Sequence, residues 1–291
     1  MTGGCQIESM DLAERIAAIL GTRPLSLTPL AGGMIAEVFA ATRSDGERVV
    51  IKHDASGAGR LDIEASMLRH LATRTALPIP AVVYADPTLL ILEHLPGEPV
   101  TKAAEPHLAK LIAALHGVTE DAFGFGDDTL SGTLRLPSPW TASWVEFFRD
   151  HRIRYVATAA LANGTLPQNL YARVERIAER LDQLLTEPPR AALIHGDVWR
   201  NNVLASGERV TGLIDPSTCY ADPEQELAYM ALNHGFSHRF FDTYTALRPI
   251  DPEFWRTRRY VYQLYPHLLH VYFFGAERLP ELDAGLREVS A

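Results

Sequence analysis

The chain has 291 residues, 47% of them hydrophobic, which is enough for a large core in one domain or two lobes. Its 36 acidic and 27 basic residues give a net charge of −9, which argues against an extended surface for nucleic acid or anionic membranes. Its two cysteines, Cys5 and Cys219, form neither a disulfide framework nor a metal-binding pair. Since there is also no long apolar run and no signal-peptide pattern, we expect a cytoplasmic protein.

The N-terminal third is predicted to be rich in strands. Residues 10–20 have helical spacing, and residues 26–53 alternate in the manner of strands around a hairpin turn at Asp45–Gly46. A second helix is predicted at 61–73. Two further short strands are predicted within residues 81–97, where a Pro-Gly pair ends the pattern. These elements predict a small sheet with helices beside it.

The rest of the chain is predicted to be mainly helical. Apolar residues recur at helical spacing over 108–115 and again over 170–184, so we expect a continuous helix in each segment. Residues 118–139 contain several glycines and prolines, and they are predicted to form a loop long enough to have a functional role.

Two apolar runs in the C-terminal half each end in an acidic residue. Leu193–Ile194 precede His195-Gly196-Asp197, and Leu213–Ile214 precede Asp215. We interpret these runs as two strands that deliver both carboxylates to the same edge of one sheet. Asn202 follows Asp197 by five residues, and each of the three polar residues taken singly could instead serve a turn.

The chemistry of these polar residues suits phosphoryl transfer. Asn202 and Asp215 offer hard oxygen ligands for Mg²⁺, while Asp197 is left free to act as a base. A phosphoryl acceptor must lose its proton while metal ions neutralise the charge on the nucleotide oxygens. The spacing of the three residues therefore predicts a kinase-like catalytic segment.

Lys52 and Glu64 give an independent indication from the N-terminal part. Lys52 ends the apolar strand VVIK, and Glu64 lies on the apolar stripe of the helix predicted at 61–73. A charge in that position needs a partner. A strand lysine that pairs with a helix glutamate and binds nucleotide phosphates is found in protein kinases, although both side chains could simply face solvent.

Two further segments are candidates for nucleotide contacts. Gly32 and Gly33 lie in a predicted turn whose backbone N–H groups could approach phosphate, but two glycines in a hairpin are a weak signal. Glu93 and Leu95 lie where the second strand meets the linker, and backbone groups there could pair with adenine.

In this order, Lys52, Glu64, EHLPG, HGDVWRNN and IDPS resemble the protein-kinase-like small-molecule kinases of the aminoglycoside phosphotransferase superfamily. Within it, the chain is most similar to the fructosamine kinase (ketosamine 3-kinase) family over nearly its whole length. The specific marks are Trp199 in HGDVWRNN, SPWTASWVEFFRDHRI at 138–153, and DPSTCYADPEQELAYMAL at 215–232.

The resemblance implies a two-lobed α+β fold of the protein-kinase type. A small β-rich nucleotide-binding lobe would span residues 1–93, a linker 94–99, and a larger helical lobe for catalysis and substrate binding 100–291. It also implies that ATP and Mg²⁺ are used to phosphorylate a sugar hydroxyl of a ketosamine. The sugar, the choice between a free and a protein-bound ketoamine, and the oligomeric state remain open.

Individual roles follow from the same resemblance. Asp197 would be the catalytic base, Asn202 and Asp215 the Mg²⁺ ligands, Lys52 the phosphate-binding lysine and Glu64 its partner.

Other positions are expected to support substrate binding or the catalytic segment. Trp199 would lie against the ketoamine, since a flat apolar ring suits a sugar face, although a tryptophan could equally be part of the core. Glu226 would anchor the catalytic segment from the helix behind it. His116 and His195 are expected to be packed histidines rather than bases.

Three alternatives remain open. A phosphotransferase for aminoglycosides or another small hydroxyl compound would be favoured by an acidic patch, which Asp121, Asp127 and Asp128 could form. A catalytically silent nucleotide-binding protein would be expected to lack Asp197, Asn202 or Lys52, and all three are present.

The third alternative is a metal hydrolase. It would use His195, Asp197, Asp215 and His234 as ligands, but it leaves Lys52, Glu64 and the linker without a role.

Overall fold

The computed structural model describes most of the chain. The described residues are 12–30, 36–232 and 235–290. Gly32 and Gly33, the predicted phosphate-binding glycines, lie outside them, as does His234 of the hydrolase alternative.

Five strands of the N-terminal part form one antiparallel sheet. They are β1 (Ser26–Pro29), β2 (Glu37–Thr42), β3 (Arg48–His53), β4 (Val82–Ala85) and β5 (Leu89–Glu93). Their order in the sheet is β1-β2-β3-β5-β4. The predicted turn at Asp45–Gly46 joins β2 to β3, and Gly46 has a φ of 88°, a value that favours glycine. The predicted strands and hairpin are confirmed.

The two faces of this sheet pack against different helices. These are α1 (Leu12–Leu20) and α2 (Leu61–Arg74). On β5, Leu89 and Ile91 belong to the cluster around α1, whereas Leu90 and Leu92 belong to the cluster around α2. Side chains of a strand alternate between its faces, so β5 is buried on both sides and anchors the sheet.

The remaining helices enclose the largest core, as expected for the helical C-terminal part. They are α3 (Glu105–Leu115), α4 (Trp144–Phe148), α5 (Tyr155–Ala162), α6 (Gln168–Ala178), α7 (Leu181–Leu184), α8 (Pro223–Met230), α9 (His238–Leu247), α10 (Arg259–Phe274) and α11 (Leu279–Ser290). A π-helical segment, Arg149–Arg154, connects α4 to α5. None of the helices in the described residues has the length and apolar character needed to cross a membrane.

The continuous helix predicted over 170–184 is wrong, because the segment divides into α6 and α7. At Arg180 the backbone leaves helical geometry, with φ −117° and ψ 11°, and Leu181 beyond it is again buried. Neither glycine nor proline marks the break, so the apolar periodicity continues through it in the sequence.

Short strands form three smaller sheets. They are β6 (Glu98–Pro99), β7 (Thr119–Glu120), β8 (Thr129–Ser131), β9 (Leu134–Leu136), β10 (Ala191–Ile194), β11 (Val203–Ser206), β12 (Arg209–Leu213) and β13 (Cys219–Ala221). The predicted loop at 118–139 therefore contains β7 and the β8–β9 hairpin. At the predicted linker, Glu98–Pro99 pair with β11.

The prediction that Asp197 and Asp215 follow strands of one sheet is wrong. The strand before Asp197 is β10, which pairs with β7 and β13, whereas the strand before Asp215 is β12, which pairs with β11. Two apolar runs in sequence do not reveal which partners each strand takes, because pairing depends on contacts across the whole fold.

Candidate active site

Lys52 lies between two carboxylates from separate parts of the chain. Its Nζ donates to Glu64 Oε1 at 2.7 Å and to Asp215 Oδ1 at 2.5 Å. The side chains of Lys52 and Glu64 are each only 12% exposed. The predicted pair of Lys52 with Glu64 is therefore present, and Asp215 joins it from the segment after β12.

The charges around Lys52 keep its amine protonated. Burial by itself lowers the pKa of Lys52, but the negative charges of Asp215 and Glu64 outweigh this and raise the pKa above its usual value. Burial raises the pKa of Glu64, Lys52 opposes that rise, and Asp215 adds to it. The Lys52 ammonium is thus a fixed positive charge at the edge of the site, suited to anionic oxygens.

Asn202 and Asp197 are joined directly within the segment 195–202, which we call the acid loop. The Asn202 side-chain Nδ2 donates to Asp197 Oδ2 at 2.8 Å and to the Asp197 backbone oxygen at 3.1 Å. A 3₁₀ turn over Arg200–Asn202 returns the chain toward Asp197 and makes this contact possible. The Asn202 side chain therefore bridges the five positions that separate it from Asp197 in the sequence.

Burial of the Asp197 carboxylate raises its pKa to about 7. Hydrogen bonding from Tyr229 opposes this rise, the charge of Asp215 adds to it, and the Asn202 amide opposes it. A carboxylate with a pKa near neutrality is well matched to accepting and releasing a proton at the pH of most cells.

A buried chain of hydrogen bonds supports the acid loop from behind. The Gly196 backbone N–H donates to Glu226 Oε1 at 2.6 Å, and Glu226 Oε2 lies 2.9 Å from His116 Nε2. On the other side of the ring, His116 Nδ1 lies 2.7 Å from the Tyr244 hydroxyl. The predictions that Glu226 anchors this segment and that His116 is a packed histidine are confirmed.

The acid loop also packs tightly against the segment that follows Asp215. Gly196 has a φ of 85°, and a Cβ there would lie 2.0 Å from the Ser217 backbone oxygen. The Ser217 N–H donates to the His195 backbone oxygen at 2.9 Å, and the Ile214 N–H donates to the Asn202 backbone oxygen at 3.0 Å. These contacts bring the two acid-bearing segments together although their strands belong to different sheets.

Asp215 has an unusual backbone conformation for an aspartate. Its φ is 56°, in the left-handed region that glycine prefers, and such conformations store strain that the surrounding structure must hold. Its side chain is 44% exposed although Oδ1 accepts from Lys52. A carboxylate oxygen is thus accessible at the site.

The oxygen atoms here fit a magnesium ion. The Asn202 amide nitrogen is engaged by Asp197, which leaves the amide oxygen for another partner. Together with the accessible Asp215 carboxylate it offers hard oxygen ligands, which Mg²⁺ prefers.

Trp199 is not a core residue. Its side chain is 43% exposed, whereas Trp144 in the WVEFF segment is fully buried. An exposed indole beside Asp197 in the sequence is available to a ligand, and the core alternative for Trp199 is excluded.

At the predicted linker, Glu93 is engaged by its neighbours. Its N–H donates to the Ala81 oxygen at 2.9 Å, and its carboxylate accepts from the Ala81 N–H at 3.2 Å. Leu95 packs close to Gly212, where a Cβ would lie 2.7 Å from the leucine Cδ1. The linker thus rests directly on β12, the strand that leads to Asp215.

Sequence reasoning missed Tyr229. Burial is the larger cause that raises the pKa of the Tyr229 hydroxyl well above its usual value. The charge of the nearby Asp197 carboxylate raises it further. Tyr229 and Glu226 are three residues apart on α8, so they share a face. Once Glu226 is known to support the acid loop, this three-residue spacing is the signal that could have identified Tyr229.

The hydrolase alternative is not supported by the described residues. Within them, the residues His195, Asp197 and Asp215 do not converge as a set of metal ligands. His195 is fully buried, and burial lowers its pKa. His195 is therefore a packed histidine, as expected.

Comparisons with known proteins extend over almost the whole chain. The fructosamine kinase family profile matches residues 10–290. A probable ketoamine kinase from Synechocystis is 30% identical over 255 residues, which is 84% of each chain. A crystal structure named as a fructosamine-3-kinase from Thermobifida fusca has a TM-score of 0.86 at 27% identity, over 96% of this chain and 98% of that one.

A more distant structure shares the fold alone. The aminoglycoside phosphotransferase APH(4)-Ia, in a ternary complex with AMP-PNP and hygromycin B, has a TM-score of 0.67 at 17% identity over 97% of both chains. The expected two-part α+β fold of the kinase-like phosphotransferases is confirmed. The family profile and the 30% identical relative together show that this chain is a kinase and belongs to the fructosamine kinase family.

Proposed function

We propose that this kinase transfers the terminal phosphoryl group of ATP to a sugar hydroxyl of a ketosamine, of the fructosamine or ribulosamine type. The hydroxyl gives its proton to Asp197, and its oxygen forms a bond to the γ-phosphorus. The bond between that phosphorus and the β,γ-bridging oxygen breaks, and ADP leaves. The products are a sugar phosphate, ADP and the proton held by Asp197.

The observation that carries this proposal is the partly buried Asp197 carboxylate, which accepts a hydrogen bond from the Asn202 amide at 2.8 Å and has its pKa raised to about 7 by desolvation. A general base is most effective when its pKa lies near the working pH. The Asn202 amide donates to this carboxylate at 2.8 Å and so fixes its direction. Asp197 can therefore meet a hydroxyl in a defined orientation, which lowers the entropic cost of the transfer.

The nucleotide is proposed to bind between the lobes of residues 1–93 and 100–291, beside the linker 94–99. Lys52 supplies a fixed positive charge for phosphate oxygens, and Glu64 holds it in place. Backbone groups at Glu93 and Leu95 are the proposed adenine contacts, with Gly32 and Gly33 as proposed phosphate contacts. The AMP-PNP in the APH(4)-Ia complex, a non-hydrolysable ATP analogue, supports ATP as the donor.

Asn202 and Asp215 are the proposed ligands of Mg²⁺. When bound, Mg²⁺ neutralises charge on the phosphate oxygens. Asp215 also pairs with Lys52 at 2.5 Å, so one contact holds the proposed metal ligand beside the proposed phosphate-binding lysine.

The acceptor is proposed to lie against Trp199, because its exposed ring offers an apolar face to a sugar. An acidic patch for a polycationic antibiotic is less well supported. Asp128 lies 2.5 Å from Arg135, and Asp121 lies 3.2 Å from Arg190, so both carboxylates are already paired with arginines.

The test is an ATP-consumption screen with the purified chain and Mg²⁺. The acceptors are free fructosamine, ribulosamine and erythrulosamine, a glycated protein, the corresponding unmodified sugars, and an aminoglycoside. Product mass and phosphorus NMR would identify the phosphorylated hydroxyl, and Asp197→Asn serves as the inactive control. We expect ADP and a sugar phosphate only with ketosamines.

Each other outcome is informative. Turnover with the aminoglycoside alone would replace the proposed acceptor class by the antibiotic class. ATP binding with no turnover on any hydroxyl compound would favour the silent nucleotide-binding alternative and contradict the proposed reaction.

A further inference from the structure

Three metal-binding side chains meet where the last two helices pack together. His267 and His270 lie on α10, and Glu281 lies in the first turn of α11. One ligand atom of each residue lies within 4.8 Å of those of the other two. None of them belongs to the active site described above. The histidines are three positions apart, so both rings leave α10 on the same face.

Each of the three side chains carries a buried polar atom with no hydrogen-bond partner in the described structure. These atoms are His267 Nδ1, His270 Nδ1 and Glu281 Oε2. The His267 side chain lies in the interior, with the residue only 8% exposed. Buried polar atoms are nearly always hydrogen-bonded, so three unpartnered atoms in one cluster call for an explanation. A bound cation would give this cluster of side chains a common partner.

The protonation states of these residues suit metal binding. Burial lowers the pKa of His267 to about 4, with a smaller contribution from His270. Burial likewise lowers the pKa of His270. Both imidazoles are therefore neutral near pH 7, which is the form that binds a metal ion.

Neighbouring residues shape the cluster. The Arg278 guanidinium donates to Glu281 Oε1 at 3.1 Å, which orients the carboxylate and leaves Oε2 free. Gly285, one turn after Glu281 on α11, allows the helix to approach closely. A Cβ there would lie 3.2 Å from His267 Cδ2.

We propose that His267, His270 and Glu281 bind one Zn²⁺ ion, with water as the fourth ligand, and that the ion fastens α11 to α10. Two imidazoles with one carboxylate suit Zn²⁺, whereas Mg²⁺ and Ca²⁺ prefer oxygen ligands alone. Ligand atoms about 2.0–2.1 Å from a tetrahedral zinc ion lie about 3.3 Å apart. Zinc binding would therefore require the three ligand atoms, which lie within 4.8 Å of one another, to move closer together.

The experiment uses the full chain, freed of metal by a chelator and then dialysed against ZnCl₂ with a large excess of Mg²⁺. The measurements are zinc content per chain, X-ray absorption at the zinc edge, and melting temperature with and without zinc. The variants are His267→Gln, His270→Gln and Glu281→Gln. The matched control is His151→Gln, a partly buried histidine outside the cluster.

We expect one zinc per chain, two imidazole ligands in the absorption spectrum, and a melting temperature that rises with zinc. Each of the three variants should bind zinc at least about tenfold more weakly, since even changes beyond the direct ligands cost about 10–100-fold. His151→Gln should bind it normally. Because each variant is compared with and without zinc, a general loss of stability does not imitate this result.

Other results would overturn the proposal. They are the absence of stoichiometric zinc, a spectrum without imidazole, or normal binding in the three variants. An Asp215→Asn variant closes one more possibility: if it alone loses zinc, the ion binds in the active site and not between α10 and α11.

Discussion

The Asn202 side-chain amide donates to Asp197 Oδ2 at 2.8 Å, so one short loop joins the proposed base to a proposed metal ligand. The bond uses the amide nitrogen and therefore determines which way the amide oxygen faces. This hydrogen bond also occupies one lone pair of the Asp197 carboxylate, which leaves the other lone pairs for the acceptor hydroxyl.

Asp197→Asn should abolish turnover and leave ATP affinity nearly unchanged. An amide cannot take a proton from the acceptor, whereas nucleotide binding is proposed to depend on Lys52 and the linker. Calorimetry with ATP and a coupled assay for kcat measure the two effects separately. A variant with near-normal kcat would show that Asp197 is not the base.

The pH dependence of kcat/KM should follow the ionisation of Asp197. Burial raises the pKa of this carboxyl to about 7, and only its ionised form accepts a proton. We therefore expect kcat/KM to fall about tenfold for each pH unit below about 7. A flat profile between about pH 6 and 8 would contradict this assignment.

The same pKa shift predicts an effect on stability. Because the pKa of Asp197 is raised in the folded state, folding favours the protonated carboxyl. The stabilisation that this proton gives is complete below the ordinary aspartate pKa and is lost as the pH rises through about 7. Asp197→Asn removes this partly buried charge, so the melting temperature of the variant should exceed that of the unmodified chain above neutral pH. If the variant and the unmodified chain differed in melting temperature by the same amount at low and high pH, this would argue against a desolvated charge at Asp197.

Asn202→Ala and Asp215→Ala should each raise the Mg²⁺ concentration needed for half-maximal activity. Each change removes a hard oxygen ligand from the proposed metal site. Titrating Mg²⁺ at fixed ATP measures the effect. Asp121→Ala, which removes a carboxylate whose side chain is 91% exposed, is the control and should behave normally. Unchanged Mg²⁺ dependence in both variants would exclude this pair of ligands.

Gly196→Ala should be far more damaging than Gly207→Ala. Both glycines have positive φ, 85° and 61°, so an alanine at either position costs about 1–2 kcal/mol of backbone strain. At Gly196 a Cβ would also lie 2.0 Å from the Ser217 oxygen, whereas at Gly207 no atom lies within 4 Å. Thermal melts and kcat should separate the two. Equal effects would mean that the acid loop does not need this close contact.

Trp199→Ala and Trp144→Ala should have opposite effects on binding and stability. Trp199 is exposed, so Trp199→Ala should weaken sugar binding by about 1–3 kcal/mol, with little change in the melting temperature or in the KM for ATP. Trp144 is fully buried and donates to the Tyr262 hydroxyl at 2.9 Å, so its loss should cost about 3–5 kcal/mol of stability. An unaltered sugar KM in Trp199→Ala would remove this tryptophan from the acceptor site.

The sequence by itself determined the local features of this protein. Strand alternation predicted the N-terminal sheet, because side chains of a strand point alternately to its two faces. The placement of Glu64 on an apolar helical stripe predicted its pairing with Lys52, since a buried charge requires a partner. The spacing of Asp197, Asn202 and Asp215, together with HGDVWRNN, indicated the kinase family that the comparisons confirm.

Only the tertiary structure decided how distant segments meet. It placed the strands before Asp197 and Asp215 in different sheets and joined their ends through the contact of Gly196 with Ser217. It also brought a ligand atom of Glu281 within 4.8 Å of one of His267, an approach between two helices that local spacing does not reveal. Strand partners, close packing and the desolvation that shifts a pKa all depend on residues far apart in the chain, whereas periodicity and motif spacing report only on near neighbours.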